Sequence, residues 1–237
     1  MLVLYRIICL EVKKLNLTLF LFLIASISFQ LNAQERQDNG WKALFSDFSL
    51  TESKTLRLET HIRTKRFFSE NDQYLIRPSV IFNINKYSSF AAGVTFLSTN
   101  MPGNRLIENN IWQQFSFSLP VKRNKYFGWI RLEQRWKKRG VLPREFGSRI
   151  RFRSGFQVPL SSKINSTSPY LVVFNEVFLL IEKNFPYQYN QNWTFLGFQK
   201  KISDKLVLLS GFQRNSILKS EGFLHKNIWS SIFFYKL

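Results

Sequence analysis

The sequence predicts an all-β fold, an antiparallel transmembrane β-barrel of about 10–12 strands with a charged, Arg-rich lumen, and three observations carry the prediction. Eleven segments read as extended, each nine to thirteen residues long, whereas strands of globular proteins average about five or six and a tilted membrane-spanning strand needs about nine to eleven. Inside several of them apolar and ionic side chains alternate with period two, so one face is greasy and the other charged. An apolar leader at the start of the chain sends the protein out of the cytoplasm.

That leader comes first. Lys13 and Lys14 precede an apolar run over 15–29, and Leu31-Asn32-Ala33 follows as a small-residue cleavage site, the layout of a secretory signal peptide. The run is shorter than the ~20 residues of a spanning helix. Residues 1–33 are therefore expected to be removed, after an unusually long lead-in over 1–12, and 34–237 to form one barrel domain. Cys9, the single cysteine, lies before the apolar run, whereas a lipid-anchor cysteine would follow it, so the mature chain has no thiol, disulfide or cysteine-based metal site. Arg6, Lys13, Lys14 and Glu11 leave with the leader, and the remainder carries a net charge of +17. A balance so basic would point to nucleic acid in a cytoplasmic protein. Export excludes that partner and leaves anionic ones: outer-membrane lipid, lipopolysaccharide phosphates and anionic solutes steered into a cationic cavity.

The strands follow in order. Segment 41–49 opens the mature chain behind Gly40. Segment 54–66 sets Leu56, Leu58 and Ile62 opposite Arg57, Glu59, His61, Arg63 and Lys65, and 73–84 succeeds it. In 88–98, Phe90, Ala92, Val94 and Phe96 oppose Ala91, Gly93 and Thr95; in 109–119, Ile111, Phe115, Phe117 and Leu119 oppose Trp112, Gln114, Ser116 and Ser118. Segment 126–137 places Ile130, Leu132 and Trp136 opposite Arg131, Glu133 and Arg135, and 147–158 places Ile150, Phe152 and Phe156 opposite Arg149, Arg151 and Arg153. Segments 169–180, 191–201 and 205–216 continue the run, and 226–237 closes it. A charge facing lipid at mid-bilayer costs roughly 2–4 kcal/mol, so the ionic rows belong inside. The small residues opposite the Phe rows suit a tightly filled lumen. The tryptophans, Trp41, Trp112, Trp129, Trp136, Trp193 and Trp229, are candidates for interfacial girdles.

Connections alternate in length. Tight links near 49–53, 85–88, 120–125 and 203–204 fall between longer ones near 67–72, 99–108, 138–146, 181–190 and 219–225, as expected of short periplasmic turns and long outer loops. The Ser-rich link 159–168 breaks the pattern. Since single-chain bacterial barrels have an even number of strands, the eleven segments imply ten or twelve: one boundary is wrong, one strand is missed, or 41–49 is not a full barrel strand.

The chain ends inside a strand, with Trp229, Phe233, Tyr235 and Leu237 on one face. That ending resembles the C-terminal signal read by the barrel-assembly machinery of outer membranes, with Leu where Phe is usual. Gly40-Trp41, the Arg-Leu-Glu-Gln-Arg-Trp run over 131–136, the Arg-Ile-Arg-Phe-Arg run over 149–153 and the Tyr-Leu-Val-Val-Phe-Asn-Glu run over 170–176 resemble, in that order, the domain-of-unknown-function 2490 family of bacterial outer-membrane β-barrels. The resemblance covers nearly the whole mature chain. It implies a barrel in the outer membrane and brings no catalytic residues with it.

The candidate lumen set is Arg57, Glu59, Arg63, Arg131, Glu133, Arg135, Arg149, Arg151, Arg153 and Glu176. In a narrow barrel such ions cross-link and fill the interior, and the excess of Arg over Glu offers a pocket or path to anions. The function expected is a small monomeric outer-membrane barrel with a structural or binding role or narrow transport of anionic solutes. One alternative is a membrane-embedded lipid hydrolase or deacylase with His61 as its catalytic candidate; another is a secreted soluble β-barrel holding a lipid or anion. Glu59 and His61 share a face, but Arg57 and Arg63 flank them and would repel a cation, and the Glu70-Asn71-Asp72 and Glu108-Asn109-Asn110 stretches read as solvated loop tips. No metal and no cofactor is expected.

Overall fold

The computed structural model describes residues 36–161, 167–181, 188–220 and 222–237; the leader and its cleavage site lie outside the described residues. Eleven strands form a closed barrel in meander order: β1 (Arg36–Ser49), β2 (Lys54–Lys65), β3 (Glu70–Asn85), β4 (Ser88–Met101), β5 (Asn104–Val121), β6 (Asn124–Arg139), β7 (Glu145–Pro159), β8 (Tyr170–Ile181), β9 (Gln188–Lys201), β10 (Leu206–Lys219) and β11 (Gly222–Lys236). Each pairs antiparallel with its neighbours in sequence, except that β1 and β11 pair parallel over Arg36–Asp47 and His225–Lys236.

The strand count corrects the expectation of ten or twelve. In an up-and-down meander with an odd number of strands the first and last run in the same direction, so closure requires one parallel ladder. Such a ladder is only slightly less stable per residue than an antiparallel one. The even count is a habit of bacterial barrels, not a physical requirement; a mitochondrial barrel has nineteen strands. β1, the segment in doubt, is a full strand of 14 residues.

The link lengths also differ from the expectation. The stretches 99–108 and 219–225 are mostly strand: β4 and β5 join through Pro102 and Gly103, the glycine at φ +65°, and β10 pairs with β11 up to Lys219 opposite Gly222. Polar side chains had been read as loop, yet Thr99 and Glu108 are strand residues with partners inside the barrel. The Asn85 carboxamide caps the β3–β4 turn by accepting from the backbone N–H groups of Tyr87 and Ser88 at 2.8 and 2.9 Å. β7 ends at Pro159 and β8 begins at Tyr170, with ten residues between them, at the end that holds the tight turns 50–53, 86–87 and 122–123, so the spacing between strands does not orient the barrel.

Alternation decides the faces as expected. Ile62, Ile76, Phe96, Ile111, Phe115, Ile130 and Phe198 are exposed on the outer wall, while Glu59, Arg131, Glu133, Arg149, Arg151 and Glu176 are buried. The bulge between Arg63 and Thr64 ends the charged row of β2: Thr64 donates to the Gly40 carbonyl at 3.0 Å and Lys65 reaches Asp72 at 3.6 Å. Pro78 sits mid-strand without an N–H, and the β3–β4 ladder is interrupted between Ile76 and Ser79 with its register kept; the register shifts between Asn83 and Asn85. Four of the six tryptophans, Trp41, Trp112, Trp129 and Trp193, face the lumen, so they form no girdle. The apolar part of the interior is Val172, Phe174, Phe195 and Leu209, packed against Phe127, Ile232 and Phe234, with Phe174 and Phe195 stacked at 4.8 Å. Gly197 and Gly211, opposite each other, leave room for this stack: a Cβ on Gly197 would lie 2.5 Å from the Phe195 ring.

Candidate functional site

The lumen contains two cavities. One, of about 520 Å³, lies toward the end that holds the C-terminus and is bordered by Asp47, Arg57, Asn83, Ser116 and Phe234. The other, of about 350 Å³, lies toward the opposite end, bordered by Asn39, Asp72, Glu108, Lys219 and Lys226. Five residues border both, Trp41, Arg63, Arg77, Arg151 and Trp193, and form a waist. Trp41 meets Trp193 edge-on at 5.2 Å, the Arg63 guanidinium lies 4.1 Å over the Trp41 ring, and the Arg151 guanidinium 5.4 Å over that of Trp193. Cation–π contacts out of water are worth about 2 kcal/mol each, so the waist is a braced layer.

Beside it runs an ionic chain that follows from register. β6 contributes Arg131, Glu133 and Arg135, and β7 contributes Arg149, Arg151 and Arg153; pairing sets Glu133 opposite Arg149 and Arg131 opposite Arg151. Like charges directly opposite repel, and here the shared carboxylates resolve the conflict. Arg149 donates to Glu133 Oε2 from Nε and Nη2 at 2.8 and 2.5 Å, and Arg151 donates to Oε1 from Nη1 at 2.8 Å. Arg151 also binds Glu176 Oε1 from Nε at 2.6 Å, and Arg153 grips Glu176 Oε2 from Nε at 2.8 Å and Nη2 at 2.5 Å. The result is the sequence Arg149–Glu133–Arg151–Glu176–Arg153, with both carboxylates fully enclosed.

Three further pairs stand around it. Arg135 forks onto Glu108 at 2.9 and 2.7 Å, Arg77 holds Glu59 at 3.0 Å, and Arg57 forks onto Asp47 at 2.6 and 2.7 Å near the mouth of the larger cavity. Two arginines have weaker anchors. Arg63 donates to the Gln73 side chain at 2.8 Å. Arg131 donates from Nε to Gln114 at 2.8 Å, and its nearest carboxylate oxygen, on Glu133, is 3.9 Å away.

The ten residues singled out from the sequence thus all line or wall the lumen. Eight join through shared carboxylates or direct pairs, counting Arg57 with Asp47, Arg135 with Glu108 and Glu59 with Arg77, while Arg63 and Arg131 have the weaker anchors just given. Sequence reasoning missed Arg77, Asp47 and Glu108. Arg77 shares a face with Leu75 and Ser79 and is followed by Pro78, so its segment showed no charged row. Asp47 shares a face with Trp41, Ala43 and Phe45, so no row of ions marks its strand. Glu108 was assigned to a loop but is 3% exposed within β5, which corrects the solvated-loop reading; Asp72 is likewise buried in β3.

His61 lies inside, its Nε2 3.5 Å from Glu59 Oε2 and its ring 5.5 Å from Phe45. The contact between a serine and a histidine occurs elsewhere: Ser216 Oγ is 3.0 Å from His225 Nδ1, on the outer faces of β10 and β11. His225 Nε2 meets no hydrogen-bond partner among the described residues. Among the described residues no three His, Cys, Asp or Glu side chains gather as a metal site.

The family model "Protein of unknown function (DUF2490)" matches residues 38–223, and the chain belongs to that family. No curated protein and no solved structure matches the chain.

Proposed function

We propose that this member of the family is an outer-membrane β-barrel that binds an anionic solute in its lumen. Export through the leader 1–33 delivers it to the outer membrane, where lipid and lipopolysaccharide surround a single barrel and the C-terminal strand engages the assembly machinery. The observation that carries the reading is the inversion of faces: an apolar outer wall around an interior that gathers eight arginines, six of them paired with five carboxylates and two held by glutamine side chains. A soluble barrel would need the reverse, because water solvates ions and rejects exposed phenyl rings. The cationic surplus supplies the attraction for anions, and Arg presents the planar fork that suits carboxylate and phosphate.

Binding is favoured over free passage by the waist, where two indoles and three guanidiniums brace one another. It is favoured over lipid hydrolysis by the position of His61, turned from the outer wall toward Glu59. In planar bilayers the refolded protein is expected to show no steady conductance at neutral pH. Large open-channel currents would replace binding with transport. The membrane assignment has its own test: a detergent-extracted barrel should migrate faster unheated than boiled on a denaturing gel and stay with membranes in carbonate. Release by carbonate without a mobility shift would support the soluble alternative and sink the proposal.

A further inference from the structure

Among the residues that line the larger cavity, five buried side-chain polar atoms have no hydrogen-bond partner among the described residues: His61 Nε2, Arg63 Nε, Arg131 Nη1, the Trp112 indole Nε1–H and the Ser79 hydroxyl. The last three, on neighbouring side chains of β6, β5 and β3, form one group. Their residues are 6%, 2% and 4% exposed, and all three line this cavity. An unsatisfied buried polar group forfeits its hydration with nothing in return, the more so when charged, so three together mark either internal water or a ligand's place. The surroundings hold them in one group. The Arg131 guanidinium stacks 4.3 Å over the Trp112 ring. Gly93 lies between Ser79 and Trp112 in the sheet and leaves the space they use, since a Cβ there would come within 2.7 Å of Ser79 Cβ and 2.8 Å of the indole.

All three groups donate, and one is permanently cationic, so the complementary atom is an anionic oxygen. Arg131 is also the arginine of β6 and β7 with no carboxylate closer than 3.9 Å, which leaves its charge for an incoming group. One side of the cavity is of another kind: Phe127, Phe174, Leu209, Ile232 and Phe234 form an apolar wall. Of the other arginines that line the cavity, Arg57, Arg77, Arg151 and Arg153 already hold carboxylates, and Arg63 holds Gln73. A volume of about 520 Å³ falls within the ~300–1,000 Å³ usual for small-molecule sites.

We infer that the larger cavity binds a single-chain anionic amphiphile, its carboxylate or phosphate head on Arg131, Trp112 and Ser79 and its hydrocarbon tail along the Phe127–Phe174–Phe234 wall. This inference rests on the anion-binding reading above and names its ligand class. The head and tail chemistry is shared by free fatty acids and by single-chain lysophospholipids of the membrane.

The experiment titrates the refolded full barrel in nanodiscs of zwitterionic lipid and reads quenching of lumen tryptophan fluorescence, with native mass spectrometry for stoichiometry. The probes are dodecanoate, dodecyl phosphate, lysophosphatidic acid, dodecanol and inorganic phosphate. Saturable one-to-one binding of dodecanoate and dodecyl phosphate, with dodecanol and inorganic phosphate each at least tenfold weaker, is expected. Lysophosphatidic acid competing as well as dodecyl phosphate would assign the site to a membrane lipid, and its exclusion to a free amphiphile. Arg131→Met should weaken dodecanoate at least tenfold, and Phe174→Ala should weaken it while sparing inorganic phosphate. Arg66→Gln, in the exposed Arg66–Glu70 pair and outside the lining of both cavities, is the control and should leave dodecanoate binding unchanged, and each variant is accepted only if it keeps the unheated gel mobility of the parent. Equal affinity for inorganic phosphate and dodecanoate would overturn the amphiphile inference and leave anion binding standing. Failure of every anion to bind would overturn both.

Discussion

The arc of wall from β2 to β7 and the arc from β8 through β11 to β1 fill the same lumen by different chemistry. The first buries Glu59, Arg77, Glu108, Arg131, Glu133, Arg135, Arg149 and Arg151 behind an outer surface of Ile76, Phe96, Ile111, Phe115, Ile130 and Phe152. The second turns Val172, Phe174, Phe195, Leu209 and Ile228 inward, and its outer surface mixes Leu196, Phe198, Phe212 and Trp229 with a polar group: Asn175 bonded to Asn192 and Thr194, Ser216 to His225, and Asn227 to Asp38. A one-residue slip in the first arc would expel guanidiniums onto the outer wall and draw phenyl rings in, so its register is strongly specified. In the second arc a slip exchanges less, and that arc contains the parallel closure between β1 and β11. The charged arc therefore supplies specificity, and the apolar arc supplies packing and the seam.

The contrast can be broken most severely at Glu133, whose two oxygens serve Arg149 and Arg151. Glu133→Ala leaves buried guanidiniums unpaired and should cost at least about 3–5 kcal/mol, read as a lowered urea midpoint in tryptophan-monitored unfolding of the refolded barrel. An effect under about 1 kcal/mol would mean that water reaches the ionic chain. Next comes Phe195→Ala in the apolar arc, expected to cost about 3 kcal/mol, the low end for a buried phenyl, because the neighbouring cavity lets the wall relax. Should Phe195→Ala prove the more damaging, the division of labour between arcs would be reversed.

A sharper test is the pair Glu133→Leu with Arg149→Leu. Removing both partners leaves fewer uncompensated charges than removing one, so the double variant should be more stable than the sum of the singles by about 1–3 kcal/mol; additivity would deny that the two groups act as a unit. The smallest change is expected from Arg57→Met. Its pair with Asp47 is 26% and 18% exposed, and partial solvent screening limits the loss to about 1 kcal/mol.

Much of this was legible in the chain. Period two alone told which faces of 126–137 and 147–158 carry ions and which carry hydrocarbon, because alternation is a property of each strand by itself. Length and repetition of such strands required a barrel to keep the outer apolar face together and the inner ions apart from it. What could not be read were the partners. Glu108 reaches Arg135, Asp47 reaches Arg57 and Glu59 reaches Arg77 only through register between strands, and register depends on turns whose lengths the polar residues near 99–108 and 219–225 disguised.

The sequence by itself determined an all-β chain, an Arg-rich interior and the identity of ten lumen residues, since these follow from side-chain order along extended backbone. Only the tertiary structure decided that eleven strands close through a parallel seam, that four tryptophans turn inward to brace arginines, and that Arg131, Trp112 and Ser79 share one cavity. Each of those outcomes joins residues far apart in the chain, and the free energy that joins them comes from pairing and burial across strands, which no local pattern encodes.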